Sequence, residues 1–364
     1  MKIMVVMGTR PEAIKLAPVI FALRRQSGFR VSICATAQHR DMLDLMLRTF
    51  SLKPHIDLNL MRPGQTPNEV LQRVIQGMDK VLEKTQPDLV LVQGDTTTVL
   101  GAALAAYHRR IAIGHVEAGL RTFDKWNPFP EEQNRVAVDH LSDLLFAPTQ
   151  TARRRLLQEH IPFKNIFVTG NTAVDALVWA AKRPHRFEAP ALRRLAAHKR
   201  LAVLTLHRRE SFGAPMKRIF ETLRNAAQER PELQWVYPVH PNPHVRAMAH
   251  QLLRHPNFTL VPPLGYLDFV HLMKKCEFIV TDSGGIQEEA PSLGKPVIVV
   301  RKATERGESL GRWSQLAGLP NGLKKAVLAL ADGKWRRPSR SNPFGDGRAA
   351  QKIVRIIRQW GKNV

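Results

Sequence analysis

The chain has 364 residues, 44% apolar and 24% charged, with 55 Lys and Arg against 31 Asp and Glu, a formal charge of +24. At roughly 150 residues per domain, this length points to two domains with real cores, and the composition excludes collagen, coiled coil and wholesale disorder. No apolar stretch approaches the ~18 residues of a membrane span, and the Ile3–Met7 run is too short for an export signal, so a cytoplasmic protein without membrane contact is expected.

In chain order, short β-branched runs alternate with helical segments, the pattern of parallel sheets covered on both faces. Strands are predicted at residues 2–7, 30–36, 88–93, 111–116, 144–147 and 166–169, then at 201–206, 234–239, 258–261, 278–281 and 296–300. Helical spacing marks residues 65–84, 99–108, 216–228 and the amphipathic 348–360. The two series break near residues 183–200, where Pro184, Pro190, His and Arg crowd together. The expected organisation is a Rossmann-like domain over 1–183, a second over 184–346, and a C-terminal helix over 347–364 that crosses back onto the first. Together these give an α/β architecture of two doubly wound domains facing across a cleft, the glycosyltransferase-B arrangement, with strand carboxyl ends turned toward ligand.

The two cysteines, Cys34 and Cys276, lie far apart in apolar strand-like sequence and read as reduced core residues. The basic excess hints at a polyanionic partner, but it is scattered through Arg-rich helices and comes with no nucleic-acid motif or aromatic platform. Nucleic acid is therefore not the expected partner.

Chemistry-bearing residues gather at strand ends. Met7-Gly8-Thr9-Arg10-Pro11-Glu12 turns into a helix whose N-terminus, with Arg10 and Lys15, makes an anion site. It matches neither GxGxxG nor a P-loop. Asp95 follows one strand, Glu117 follows what should be its neighbour, and Glu131 heads a helix. Singly, each acid has a plain explanation: an N-cap, an ion pair with Arg121, a first-turn acid favoured by the helix dipole. Jointly, three carboxylates in one crevice suit general acid–base work. In the second half His207-Arg208-Arg209-Glu210 forms a cationic junction. Asp282-Ser283-Gly284-Gly285 places two glycine amides to cradle a diphosphate, with Glu289 in reach of a ribose and Arg306 adding charge at the same edge. His240 and His244 are separated by two prolines and do not make a helical metal pair.

With these blocks in place the sequence resembles the non-hydrolysing UDP-N-acetylglucosamine 2-epimerases over nearly its whole length. The resemblance rests on Gly8 to Ala13, Ala37-Gln38-His39-Arg40, Gln93 to Thr98, Gly114 to Arg121, Pro130-Glu131-Glu132, Leu206 to Glu210, Thr281 to Pro291, and Asn342 to Gly347. It implies interconversion of UDP-GlcNAc and UDP-ManNAc with neither nicotinamide cofactor nor metal, by elimination of UDP to 2-acetamidoglucal and re-addition, supplying ManNAc-type sugars for surface polysaccharide. It further implies that Asp95, Glu117 and Glu131 move protons and that His207 assists UDP departure. Arg10 and Lys15 would face phosphate or sugar; Ser283, Gly284 and Gly285 the diphosphate; Glu289 the ribose; Phe269 the uracil; Arg306 the closing edge. A homodimer is usual for the family.

Some bacterial members bind a second UDP-GlcNAc as activator. Gln38, Arg208 and His240 match that site, whereas Asp41 and Gly64 stand where those members carry Gln and Arg. Arg306-Gly307-Glu308 replaces the family's Arg-Pro-Glu, and Ser211 its usual Asn. Two other readings fit part of the pattern: a retaining nucleotide-sugar glycosyltransferase of the same architecture, and a non-catalytic polyanion-binding relative.

Overall fold

The computed structural model describes residues 1–36, 40–62, 64–195, 198, 200–208, 212–304, 306–336, 338 and 341–362. The chain divides into two units: residues 1–176 with 344–364, and residues 177–343. The first boundary falls inside a helix, ahead of the 183 expected from the Pro-rich stretch. The return comes at Phe344 rather than 347.

In unit 1 the elements run β1 (Lys2–Met7), α1 (Arg10–Arg24), β2 (Arg30–Ala35), α2 (Arg40–Thr49), β3 (Ile56–Asp57), α3 (Pro67–Thr85), β4 (Leu89–Gln93) and α4 (Thr97–His108). They continue with β5 (Ala112–Val116), α5 (Glu131–Leu141), β6 (Leu144–Ala147), α6 (Gln150–Gln158), β7 (Ile166–Val168) and α7 (Thr172–Ala181), whose last turn belongs to unit 2. The seven strands form one parallel sheet in the order β3-β2-β1-β4-β5-β6-β7. Strands such as Leu89–Gln93 are buried along their whole length because helices cover both faces. Gly101 lets α3 and α4 close up: a Cβ there would stand 2.7 Å from Val74.

Unit 2 contains α8 (Pro190–Leu195), β8 (Leu201–Thr205), α9 (Ala214–Glu229), β9 (Gln234–Pro238), α10 (Pro243–Leu252), β10 (Phe258–Val261) and α11 (Tyr266–Lys275). After these come β11 (Phe278–Thr281), α12 (Gly284–Glu289), β12 (Val297–Val299), β13 (Ser314–Leu316) and α13 (Asn321–Ala331). Its six parallel strands are ordered β10-β9-β8-β11-β12-β13 around a core of Phe220, Trp235, Tyr237 and Phe278. The final helix α14 (Ala349–Trp360) lies against α1 in unit 1. The backbone N–H groups of Ala349 and Ala350 at its start donate to the Asp175 carboxylate of α7.

Both units are Rossmann-like. In each, strand order reverses beside the first strand, between β1 and β4 and between β8 and β11, and the crevice at the carboxyl ends of that pair is where such folds take ligands. Eleven strands lie where the sequence predicts them, to within a residue or two. Two of the four edge strands, β3 and β13, lie outside the predicted set: at two and three residues they show no periodicity. Cys34 and Cys276 are unpaired and buried, and burial pushes both thiols up to about 12, so neither is a nucleophile at neutral pH. Among the described residues no helix is long and apolar enough to cross a membrane.

Candidate active site

At the reversal point of unit 1, the turn after β1 and the turn after β4 are bolted together by Glu12. Its carboxyl is buried, accepts from the backbone N–H of Gly8 and Thr9, and meets the Thr96 hydroxyl at 2.7 Å. Burial pushes this carboxyl above the usual range, and the donors from Gly8, Thr96 and Thr9 only partly offset it. Behind it, the Thr36 and Thr98 hydroxyls bond at 3.0 Å, in space that a side chain at position 8 would fill.

Glu117 follows β5 directly and sits at φ 72°, a left-handed conformation that is costly for a residue with a Cβ. Its carboxylate is 6% exposed. Lys15 Nζ lies 2.6 Å from both oxygens, Gln93 Nε2 donates to one oxygen and Asn171 Nδ2 to the other at 3.0 Å. Three donors, from the ends of two strands and from one helix, make this the environment of a carboxylate rather than of a carboxylic acid. The Arg121 pairing that the sequence offers as a plain explanation for Glu117 does not occur. Arg121 instead binds Glu159 through two bonds of 2.6 Å and Asp139 at 2.8 Å.

Asp95 stands one residue past Gly94, which a hydrogen bond to Val116 holds beside the end of β5. A Cβ on Gly94 would lie 3.9 Å from the Glu117 carboxylate, so Asp95 and Glu117 share one strand-end region. The Asp95 carboxylate pairs with Arg135 on α5, and its carbonyl accepts from Asn134 of the same helix. Glu131 is the first residue of that helix, half-buried. Its neighbour Glu132 does local work, accepting the N–H groups of Thr122 and Phe123. The fold therefore gathers Asp95, Glu117 and the helix bearing Glu131 at one edge of unit 1. Arg10 opens α1 at the same edge, and Lys15, one turn on, is spent on Glu117.

Unit 2 builds its reversal point with the same logic and different charges. Asp282, fully buried after β11, accepts the backbone N–H groups of His207 and Arg208 after β8 and pairs with His207 Nδ1 at 3.0 Å. Burial raises its carboxyl, but His207 and those N–H donors outweigh that and hold it below the usual range. The His207 ring is 47% exposed, so with Nδ1 committed to Asp282 the nitrogen left to meet a ligand is Nε2. Ser283 precedes α12, and Gly284 is closely covered: a Cβ there would lie 3.2 Å from the Arg306 guanidinium. Arg306 is aimed there by Glu288, buried beneath it, at 2.8 Å. A cation thus stands against the Ser283-Gly284-Gly285 corner, the arrangement a diphosphate needs.

Glu289 lies one residue past Glu288 and is half-buried, and Phe269 is half-buried on α11. Of the regulatory residues expected from the sequence, Arg208 donates through Nε to the Asp282 carbonyl. The His240 ring is held below its ordinary value by burial and by His207. Gln38, the flanking motif residues 37 and 39, and Arg209, Glu210 and Ser211 lie outside the described residues. Sequence reasoning gave no role to Glu12, Asp139, Arg135 or Glu288. Asp139, Arg135 and Glu288 act through partners distant in sequence, which no local pattern announces; for Glu12 the Thr9-to-Glu12 capping box is a readable local signal, and only its bond to Thr96 is long-range.

Paired Rossmann-like units, one ending in carboxylates and the other in a cationic glycine corner, define the nucleotide-sugar enzyme class of glycosyltransferase-B architecture. Residues 21–358 match the family described as UDP-N-acetylglucosamine 2-epimerase. The chain is 46% identical to the UDP-N-acetylglucosamine 2-epimerase of Yersinia pestis, with 98% of each chain covered. It is similar in structure to the S. aureus MnaA–UDP co-structure, at 42% identity, TM-score 0.90 and coverage of 100% of this chain and 97% of that one. The Neisseria meningitidis UDP-GlcNAc 2-epimerase bound to UDP-GlcNAc aligns at 39% identity and TM-score 0.88 over 99% and 100% of the two chains. The chain belongs to the UDP-N-acetylglucosamine 2-epimerase family and is an enzyme of the isomerase class.

Proposed function

We propose that the enzyme interconverts UDP-GlcNAc and UDP-ManNAc by eliminating UDP across C1–C2 and adding it back. The C2 hydrogen is too weak an acid to leave alone. A carboxylate takes it while the C1–O bond breaks, the bonding pair departing with UDP to give 2-acetamidoglucal. UDP then re-adds at C1 and a proton returns to the opposite face of C2. The scheme needs acid–base groups on both faces of the sugar and firm electrostatic holding of the leaving diphosphate.

Asp95, Glu117 and Glu131 are the proton-handling groups in this reading. Ser283, Gly284, Gly285 and Arg306 hold the diphosphate, His207 Nε2 bonds a phosphate oxygen as charge develops, Glu289 takes the ribose and Phe269 packs on uracil. Arg10 faces phosphate or sugar. Lys15 serves by fixing Glu117. Arg208 and His240, with Gln38, are assigned to a second UDP-sugar site that tunes activity, and the protein works as a homodimer in the cytoplasm. The product feeds assembly of surface polysaccharide.

The observation that carries the reading is Glu117, a backbone-strained and almost wholly buried carboxylate ringed by Lys15, Gln93 and Asn171 beside Asp95. Strain and burial of this kind are maintained at reacting centres. Proton NMR of UDP-GlcNAc turned over in D2O tests it: deuterium enters C2 of both epimers if the reading holds. Conversion with C2 protium fully retained rejects it.

A further inference from the structure

We infer that His115 is a positioning residue for Asp95, acting through the Gly94 carbonyl, and that α5 is the common mount of the carboxylate set. This rests on the proposed reading of Asp95 as a proton-handling group.

His115 is the penultimate residue of β5 and is fully buried. Its Nε2 lies 2.8 Å from the Gly94 carbonyl and its Nδ1 2.6 Å from Asp139 Oδ1. Burial raises the Asp139 carboxyl, but His115 and Arg121 more than reverse this and keep it ionised. Each ring nitrogen thus faces an acceptor, a carbonyl on one side and a carboxylate on the other. The second Asp139 oxygen accepts from Gly119 N–H at 3.1 Å and from Arg121, itself clamped by Glu159.

A buried ionic chain of this length is weak as a stabilising device. Apolar residues of similar volume commonly pack as well or better, whereas removing a single partner is costly. Its geometry shows what it does instead. The Gly94 carbonyl belongs to the peptide that leads into Asp95, and Gly94 sits at φ 82°, where side chains do not hold the turn. Three consecutive residues are thus fixed one by one: Gly94 O by His115, Asp95 O by Asn134, and Thr96 Oγ1 by Glu12.

Glu131, Asn134, Arg135 and Asp139 are spaced by three, four and eight positions from the first, which puts them on one face of α5. That face carries one candidate catalytic carboxylate, grips a second through Asn134 and Arg135, and grips the peptide before it through Asp139 and His115. The ionic chain is built wholly from unit 1 and the diphosphate corner from unit 2, so disturbing the first should leave nucleotide binding intact.

The two ring nitrogens can be tested separately, because an Asn amide nitrogen mimics Nδ1 and a Gln amide nitrogen mimics Nε2. His115→Gln keeps the donor to Gly94 and should retain kcat within about tenfold. His115→Asn keeps only the donor to Asp139 and should lose about 10²-fold in kcat, the scale of an ångström-level misplacement. In both, KM and the Kd for UDP should stay within about threefold. In an Asp95→Asn background, His115→Asn should cost less than about threefold more, since the group it positions is gone.

Equal loss in the Asn and Gln variants, or full additivity with Asp95→Asn, overturns the inference. If neither His115 variant folds, Asn134→Ser removes another bond of the same mount and should lower kcat about tenfold at unchanged KM; no change overturns it. Absence of C2 exchange in the unaltered enzyme overturns both the inference and the proposed function. Exchange there with equal His115 variants overturns the inference alone.

Discussion

The two reversal points solve one mechanical problem with opposite electrostatics. In unit 1 a buried carboxyl, Glu12, ties the β1 turn to the β4 turn through neutral donors, and burial drives it toward its protonated form. In unit 2 a buried carboxyl, Asp282, ties the β8 turn to the β11 turn with His207 at its side, and is driven toward its ionised form. The first leaves the edge of unit 1 to the carboxylates Asp95 and Glu117. The second leaves the edge of unit 2 cationic and able to hold a departing diphosphate. Under the proposed function this contrast is a division of labour, with proton transfer in unit 1 and anion holding in unit 2.

The largest effect should come from the proton-handling side. Glu117→Gln keeps the size but only one of the two accepting oxygens, and it cannot take a proton, so it should lower kcat about 10³-fold or more at little changed KM. Steady-state NMR assays of both epimers check this, and a near-normal rate removes Glu117 from the reaction. On the holding side, Arg306→Gln breaks a charge-assisted contact worth about 1.5–3 kcal/mol, so KM and UDP Kd should rise about 10- to 100-fold. Calorimetric UDP titration reads it directly, and unchanged affinity would sever Arg306 from the diphosphate.

A smaller effect separates the two buried carboxyls themselves. Asp282→Asn should cost about 1–3 kcal/mol of stability at pH 7, because it removes the charge that His207 and two N–H groups rely on. Glu12→Gln should fall within about 1 kcal/mol of the unaltered protein, an amide serving the same neighbours. The pH dependences have opposite signs. The depressed Asp282 pKa stabilises above the ordinary value of 3.8, and that contribution disappears as pH falls through the folded value below it. The raised Glu12 pKa favours the folded state while protonated, and that contribution is lost as pH climbs from the ordinary 4.5 to the raised value. Denaturant titrations from pH 3 to 8 distinguish them, and equal slopes in the two variants would erase the contrast.

Much of this contrast could be read from the sequence, and its wiring could not. Asp95 and Glu117 announce themselves as acids after apolar strands, Glu131 as an acid heading a helix, and Ser283-Gly284-Gly285 as a turn that opens a helix. Doubly buried strands such as Leu89–Gln93 are visible as unbroken apolar runs, while β3 and β13 are too short to show a period. Partners were the hard part. Arg121, four residues from Glu117, looked like its counter-ion, yet Lys15, 102 residues away, holds it. Glu288 and Glu289 are adjacent, and only three-dimensional packing shows that the first aims Arg306 and leaves the second for a different task.

A last effect, on stability and not on turnover, lies away from both edges. Burial pushes the Asp175 carboxyl up to about 6 although two N–H groups of α14 donate to it. Stability should therefore decline as pH rises from about 4 to 6, by at most ~3 kcal/mol for this group. Asp175→Asn should flatten that interval while leaving kcat unchanged, and an unaltered slope would assign the titration elsewhere.

The claim on which the account turns is that the carboxylates of unit 1 and the anion corner of unit 2 act in one reaction, breaking the C1–O bond while UDP stays held. Positional isotope exchange measures this. UDP-GlcNAc carrying 18O between C1 and the β-phosphorus should return with label in non-bridging β-phosphoryl positions, at a rate comparable to epimerisation. Epimerised product with all its label still in the bridge would mean that the bond never opened, and would contradict the account.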